Sequence, residues 1–327
     1  MPRPTTKRLL LLVVWLIPIA GVVWWASKQR APTFHGTTAG ILALVVALGL
    51  YAVATLMRGE RWARILWRAG VHDARRGDAY ALVPVGYMGN NVLPARGGEL
   101  LRTFLLGGRA QAAKRTILGT ILAERVLDAL ALGVILVVLA AGLLRRLPAP
   151  SETLLLAGGA LLVVLALLAV VAFARYRERL VFVLRALAPM AAPSRRLLSG
   201  FGLVLLGASL LIWCVEASVY LEVGRAIGVG LSLRDGLAVV AFTNAAALVP
   251  AAPGYIGTYD AAVIFAVDAV STAAKSSVLA YLLLLRFVLF IPITIVGFGL
   301  LVVRYGGLSR IRAARAAARA ETAAAAA

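Results

Sequence analysis

The sequence predicts an all-α fold: a polytopic membrane helix bundle of six spans and two opposed re-entrant helical hairpins, arranged as an inverted repeat. Three observations lead there. Of the 327 residues, 62% are hydrophobic, against about 45–50% in soluble domains. The apolar residues gather into blocks of about 20 with few charges, the length that crosses ~30 Å of hydrocarbon. The formal charge of +20 lies almost wholly between those blocks, which is the positive-inside pattern of a membrane protein rather than a nucleic-acid surface. Nucleic acid is therefore not an expected partner. The single cysteine, Cys214, cannot form an intrachain disulfide.

Six segments read as spans: Leu9–Ala26, Thr38–Met57, Thr116–Leu144, Thr153–Ala174, Phe201–Leu221 and Ser276–Val303. The first has a basic flank but no small-residue cleavage site, and Trp24 and Trp25 suit an interface, so it reads as a retained helix rather than a signal peptide. Two further apolar segments, Ala79–Pro94 and Gly236–Pro250, are too short to span comfortably. Each runs into a turn rich in Pro and Gly: Pro94, Gly97 and Gly98 in the first, Pro250, Pro253, Gly254 and Gly257 in the second. A second short helix follows each turn, Glu99–Gly107 and Thr258–Val270. Helix, break and returning helix make a re-entrant hairpin, whose bare backbone must be buried in protein or line a watery cavity.

Lys and Arg counts set the orientation. With both hairpins returning to the side they enter from, 25 basic residues face the cytoplasm and 7 face outward. Both termini are then cytoplasmic, and the expected location is the cytoplasmic (inner) membrane. Three spans separate the hairpins, so the two halves have opposite orientation. Each half reads span, span, hairpin, span, with an arginine ten or eleven residues into the last span: Arg125 and Arg286. Inverted repeats with broken helices are a transporter architecture. The expected organisation is one membrane domain, 1–310, with repeats over about 8–145 and 152–303, and an Ala/Arg-rich tail, 311–327. Arg175–Met190 reads as a helix on the inner leaflet.

Several chemistries lack their motifs. There is no Gly-x-x-x-x-Gly-Lys-Ser/Thr loop, no nucleophile elbow, and His35 and His72 stand in loops without a ligand set. No cofactor and no metal are expected. What the spans do carry is charge: Glu124, Arg125 and Asp128 in one, Glu216 in another, Arg286 in the last. Each charge costs about 2.5–3.5 kcal/mol at a span centre. Glu124 and Asp128 share a face, and Arg125 points about 100° away. One reading is an interhelical lock, such as Arg286 with Glu216. The other is a phosphate site, because two guanidiniums converging from opposed repeats bind phosphate bidentately. Asn90, Asn91, Arg96, Glu99 and Arg102 cluster at the first turn, and Asn244, Tyr255, Tyr259 and Asp260 at the second. The start of the helix after Gly97–Gly98 offers free N–H groups to an anion.

Asn91–Arg102 (Asn-Val-Leu-Pro-Ala-Arg-Gly-Gly-Glu-Leu-Leu-Arg) and Glu124–Asp128 (Glu-Arg-Val-Leu-Asp) resemble the membrane domain of lysyl-phosphatidylglycerol synthases and their stand-alone flippase-like relatives. Pro250–Asp260 resembles that group's Pro-Gly-Gly-x-Gly-x-x-Glu motif, with Tyr255 in place of a glycine and Asp260 in place of the glutamate. Arg286 and Pro292 match the arginine and proline of its last span. The resemblance runs from about Thr38 and implies movement of a lipid or lipid-linked head group between leaflets. Relatives are also described as glycosyltransferases or hopanoid-pathway proteins, so the substrate stays open. No soluble lysyl-transferase domain is appended, so lysyl transfer from tRNA is not supported.

The leading expectation is a transporter for a membrane lipid with an anionic head group. Arg125 and Arg286 neutralise the phosphate, Arg96 and Arg102 attract it, and Glu124, Asp128 and Asp260 hold the arginines or accept polar head-group hydrogens. Two alternatives stand beside it. One is a membrane-embedded transferase on a polyprenyl-phosphate-linked substrate, with Glu99 or Asp260 as general base. The other is a non-catalytic partner of an envelope-lipid synthase.

Overall fold

A computed structural model describes residues 36–93, 97–144, 199–246 and 253–306, with Trp24, Ser27 and Lys28 besides. The expected spans Leu9–Ala26 (but for Trp24) and Thr153–Ala174, the inner-leaflet helix Arg175–Met190 and the tail lie outside the described residues, as do Pro94, Arg96 and Pro250.

The described residues form eight α-helices and one 3-10 turn, and no strand. In chain order they are α1 (Thr38–Arg68), α2 (Arg76–Val92), α3 (Gly97–Arg109), α4 (Lys114–Leu144), α5 (Gly200–Ala226), α6 (Leu233–Ala246), the turn Pro253–Tyr255, α7 (Thr258–Val270) and α8 (Lys275–Tyr305). Helices α1, α5 and α8 are long and apolar enough to cross a membrane. At 31 residues α1 and α8 extend ~46 Å at 1.5 Å per residue, more than the hydrocarbon alone requires. Helix α4 is equally long, but Glu124, Arg125 and Asp128 interrupt its apolar run. Val303, Leu203 and Ile295 point outward and stay exposed, as lipid-facing side chains do.

The first long helix outruns its apolar block. Thr37 caps it, accepting from the Gly40 N–H at 3.1 Å, and it continues past Met57 to Arg68. Beyond Met57 the buried positions are Arg58, Gly59, Arg61, Trp62, Ala63, Ile65 and Leu66, most of them spaced three and four apart on one helical face. The expected end at Met57 is thus corrected. Hydropathy fell there because arginines entered the sequence, while the periodicity of the buried face carried on.

The helices pack in two groups joined through α1 and α5. Helix α2 packs on α3, α1 and α8; α6 packs on α7, α5 and α4. Helices α1 and α5 pack on each other. One core cluster centres on α2 with parts of α1, α3 and α4, another on α5 to α8. The two helix pairs meet where the turn Pro253–Tyr255 packs against α2.

The α2–α3 pair closes so tightly that only glycine fits. A Cβ on Gly98 would run into the Gly86 carbonyl and lie 2.7 Å from Asn90 Oδ1. Gly98→Ala is therefore expected to cost about 1–3 kcal/mol by overpacking, seen as a lowered melting point in detergent. Gly108→Ala in the same helix meets nothing within 4 Å and is expected to leave the melting point unchanged or slightly raised. An unchanged melting point for Gly98→Ala would contradict this packing.

Candidate functional site

Charged side chains meet inside the bundle and build the site's wall. Arg61 is 2% exposed. It donates to Asp128 Oδ1 and to Ser209 Oγ, each at 2.6 Å, and lies 3.8 Å from Glu124. Glu124 in turn accepts from Arg102 at 2.7 Å, and the Arg102 guanidinium stacks 3.8 Å from the centre of the Trp62 ring. Arg58, one turn before Arg61, pairs with Glu216 on α5. Low dielectric demands such pairing, because an isolated buried charge is far more costly than a paired one.

A cavity of about 120 Å³ opens beside this network. Its polar wall carries Arg58, Arg125, Glu99, Asp128 and Glu216, with Asn90, Asn91 and Asn244. Its aromatic wall carries Tyr51, Tyr87, Trp213, Tyr220, Tyr255, Tyr259 and Phe290. That space is ample for a phosphate-sized group. Neighbouring contacts hold the lining in place. Asn91 donates to Thr294 Oγ1 at 2.9 Å, Asn244 donates to the Val240 carbonyl at 2.9 Å, and the Tyr220 and Tyr259 hydroxyls bond at 2.9 Å.

Of the expected site residues, Arg125, Glu99, Asp128, Asn90, Asn91, Asn244, Tyr259 and Glu216 line this cavity. Four others stand behind the wall. Arg102 and Glu124 pair with each other, so Arg102 is buried rather than facing the leaflet. Arg286 pairs with Asp260 and donates to the Gly254 carbonyl at 3.0 Å. The expected lock of Arg286 with Glu216 is corrected: Glu216 belongs to Arg58. The anion site expected at the start of α3 is partly filled, since the Gly98 N–H donates to Asn90 Oδ1 at 3.0 Å. Gly97 opens α3, and Gly257 donates its N–H to Asp260 Oδ2 at 2.8 Å at the start of α7. Pro253 and Gly254 form the 3-10 turn with Tyr255.

The turn is strained. Gly254 and Gly257 have φ of 67° and 91°, and Tyr255 follows at φ 55°, a region that costs a residue with a Cβ about 1–3 kcal/mol. Arg286 offsets this by holding Asp260 and the Gly254 carbonyl together. The tyrosine that stands at a glycine of the family motif thereby places its side chain on the cavity.

Arg58 and Arg61 were missed by sequence reasoning, which counted them as a cytoplasmic basic flank. The signal that finds them is the periodicity Arg58, Arg61, Trp62, Ile65, Leu66. Removing Arg58, Arg61 and Arg102 from the cytoplasmic tally leaves 22 against 7. Trp213, Tyr51, Tyr87 and Tyr220 were also missed, since aromatics inside apolar runs carry no distinguishing pattern.

The family model for the lysylphosphatidylglycerol synthase TM region matches residues 9–297. The chain belongs to that family. It is an integral membrane protein, built of apolar helices around a charged interior. The match begins at residue 9, earlier than the Thr38 at which the resemblance was first legible. No curated protein and no solved structure matches the chain. Arg125 and Arg286 differ in how they are held. Arg125 reaches Glu99 at 3.6 Å and Asp128 at 3.7 Å, both beyond hydrogen-bond distance, and its side chain is 36% exposed.

That difference sets an expectation for stability. Arg61→Gln strands Asp128 and is expected to cost about 3–5 kcal/mol. Arg125→Gln gives up only loose, partly exposed pairs and is expected to cost less than about 1 kcal/mol. Thermal-shift curves of the two variants check this; equal losses would contradict the assignment of Arg61 to the frame and Arg125 to the cavity.

Proposed function

We propose that this protein binds the phosphate of a membrane lipid or lipid-linked head group in the cavity and moves it between leaflets. One observation carries the reading. Arg58 Nη1, Arg125 Nε and Trp213 Nε1 are buried nitrogens without a hydrogen-bond partner among the described residues, and all three residues line the cavity. Buried donors demand acceptors. A phosphate supplies several oxygens to one small volume, and guanidinium is the group best matched to it. The acyl chains stay in lipid, because the cavity admits only the polar end.

The expected inverted repeat supports movement rather than static binding. Glu99 is the third residue of α3 and Asp260 the third of α7. Arg125 is the twelfth of α4 and Arg286 the twelfth of α8. Each acid precedes its arginine by 26 residues, and each faces it as an ion pair. Every packing pair described above keeps its counterpart when the halves are exchanged, α1 with α5, α2 with α6, α3 with α7 and α4 with α8. On this reading α2–α3 and α6–α7 are the opposed re-entrant hairpins, whose ends meet at the cavity at middle depth. Arg125 lies ~17 Å along its helix at 1.5 Å per residue. Rocking of one half against the other about the fixed site alternates access. Arg125 and Arg58 hold the phosphate, and Arg286 holds the turn that bears Tyr255.

Liposomes test this. Purified protein is expected to move a labelled phospholipid between leaflets without changing it chemically. Arg125→Gln is expected to lower the rate at least about tenfold, the loss of roughly one charge-assisted hydrogen bond, with little change in melting point. Wild-type rates from the folded variant would remove Arg125 from the site. A chemically new lipid would favour a transferase with Glu99 as its base, since Asp260 is held by Arg286 and the Gly257 N–H.

A further inference from the structure

The charges around the cavity balance before any ligand arrives. Arg58, Arg61, Arg102 and Arg125 stand against Glu99, Glu124, Asp128 and Glu216. A phosphate alone would therefore leave one uncompensated negative charge in a low-dielectric interior, which is strongly unfavourable. On the cavity wall itself three carboxylates face two guanidiniums. Glu99 is the least committed of them, since its contact to Arg125 at 3.6 Å is beyond hydrogen-bond reach. The aromatic residues of the same cavity already handle positive charge: the Arg58 guanidinium stands 5.2 Å from the Trp213 ring centre and 6.0 Å from that of Tyr87. Aromatic faces beside carboxylates make a site for an ammonium group.

We infer that the cavity takes a compact zwitterionic head group, a phosphate joined by a short linker to a protonated amine. The inference rests on the proposed phosphate reading of the same cavity and adds the cation. The phosphate takes the three unpartnered donors of Arg58, Arg125 and Trp213. The ammonium lies against Glu99 with the tyrosine faces around it, and the site stays neutral with its ligand bound. Compactness follows from volume: about 120 Å³ is well below the ~300–1,000 Å³ of ordinary ligand pockets. That volume favours a compact head group over a long aminoacyl-glycerol extension.

Binding separates this from transport. Short-chain lipids bearing phosphoethanolamine, phosphoglycerol or aminoacylated phosphoglycerol are titrated onto the purified full chain, with free phosphoethanolamine alongside, and affinity is read from thermal stabilisation. The phosphoethanolamine lipid is expected to bind roughly tenfold more tightly than the phosphoglycerol lipid, the scale of one desolvated cation–π and ion contact. Glu99→Gln is expected to bring the two affinities together by weakening the first and not the second. Tyr87→Leu, which leaves every ion pair intact, is expected to shrink the preference in the same direction. Equal or reversed preference in the wild type, or an unchanged ratio in both variants, would overturn the zwitterion while leaving phosphate transport standing. Tightest binding of the aminoacylated lipid would overturn compactness. Equal binding of free phosphoethanolamine would make the ligand soluble and overturn its lipid source. Binding of none of the four would overturn both this inference and the phosphate reading.

Discussion

Arg61 carries a positive charge into an interior with no water to solvate it, and the arrangement of helices around it follows from that constraint. Its guanidinium needs acceptors, and those it has come from different helices: Asp128 and Glu124 from α4, Ser209 from α5. Glu124 then needs a second cation and finds Arg102 from α3. Arg58, one turn earlier on α1, brings in Glu216, seven residues along α5 from Ser209. Rotating or sliding any one of these helices by a residue would strand a charge. In a membrane, where apolar side chains gain little by leaving lipid, such pairing sets the register that a soluble core would take from hydrophobic burial.

The cavity is what this frame leaves unsatisfied. Asp128 is committed to Arg61, so Arg125 finds only distant partners. Arg286, by contrast, is engaged by Asp260 and by the carbonyl of the strained turn. The two arginines are thus used differently: Arg286 builds the wall and Arg125 faces the space. Asp260 reaches both Arg286 and the Gly257 N–H and so clamps the turn.

Much of this was legible in the sequence. Apolar block length gave the long helices, and Pro and Gly clusters gave the breaks after α2 and before α7. Arg125 and Arg286 were matched by their position in the last span of each expected half, while the common spacing of Glu99 and Asp260 to them passed unread. Arg58 and Arg61 escaped because a charge at the end of an apolar block has two physical meanings. It can snorkel to the interface, or it can turn inward to a carboxylate. Only the positions of Asp128 and Glu216, 67 and 158 residues away, decide between them. The aromatic wall escaped for a related reason: Tyr51, Tyr87, Trp213 and Tyr220 come from three helices, and no local pattern joins them.

The proposed site holds a lipid phosphate among Arg58, Arg125 and Trp213, inside the bundle rather than on its outer face. A density map of the protein in lipid nanodiscs at a resolution that shows phosphate groups tests this most directly. The expected result is phosphate density in the cavity, within hydrogen-bond reach of Arg58 Nη1 and Arg125 Nε, with its acyl chains leaving between helices. A lipid-saturated sample showing ordered lipid only around the outer apolar faces, and water alone beside those arginines, would contradict it.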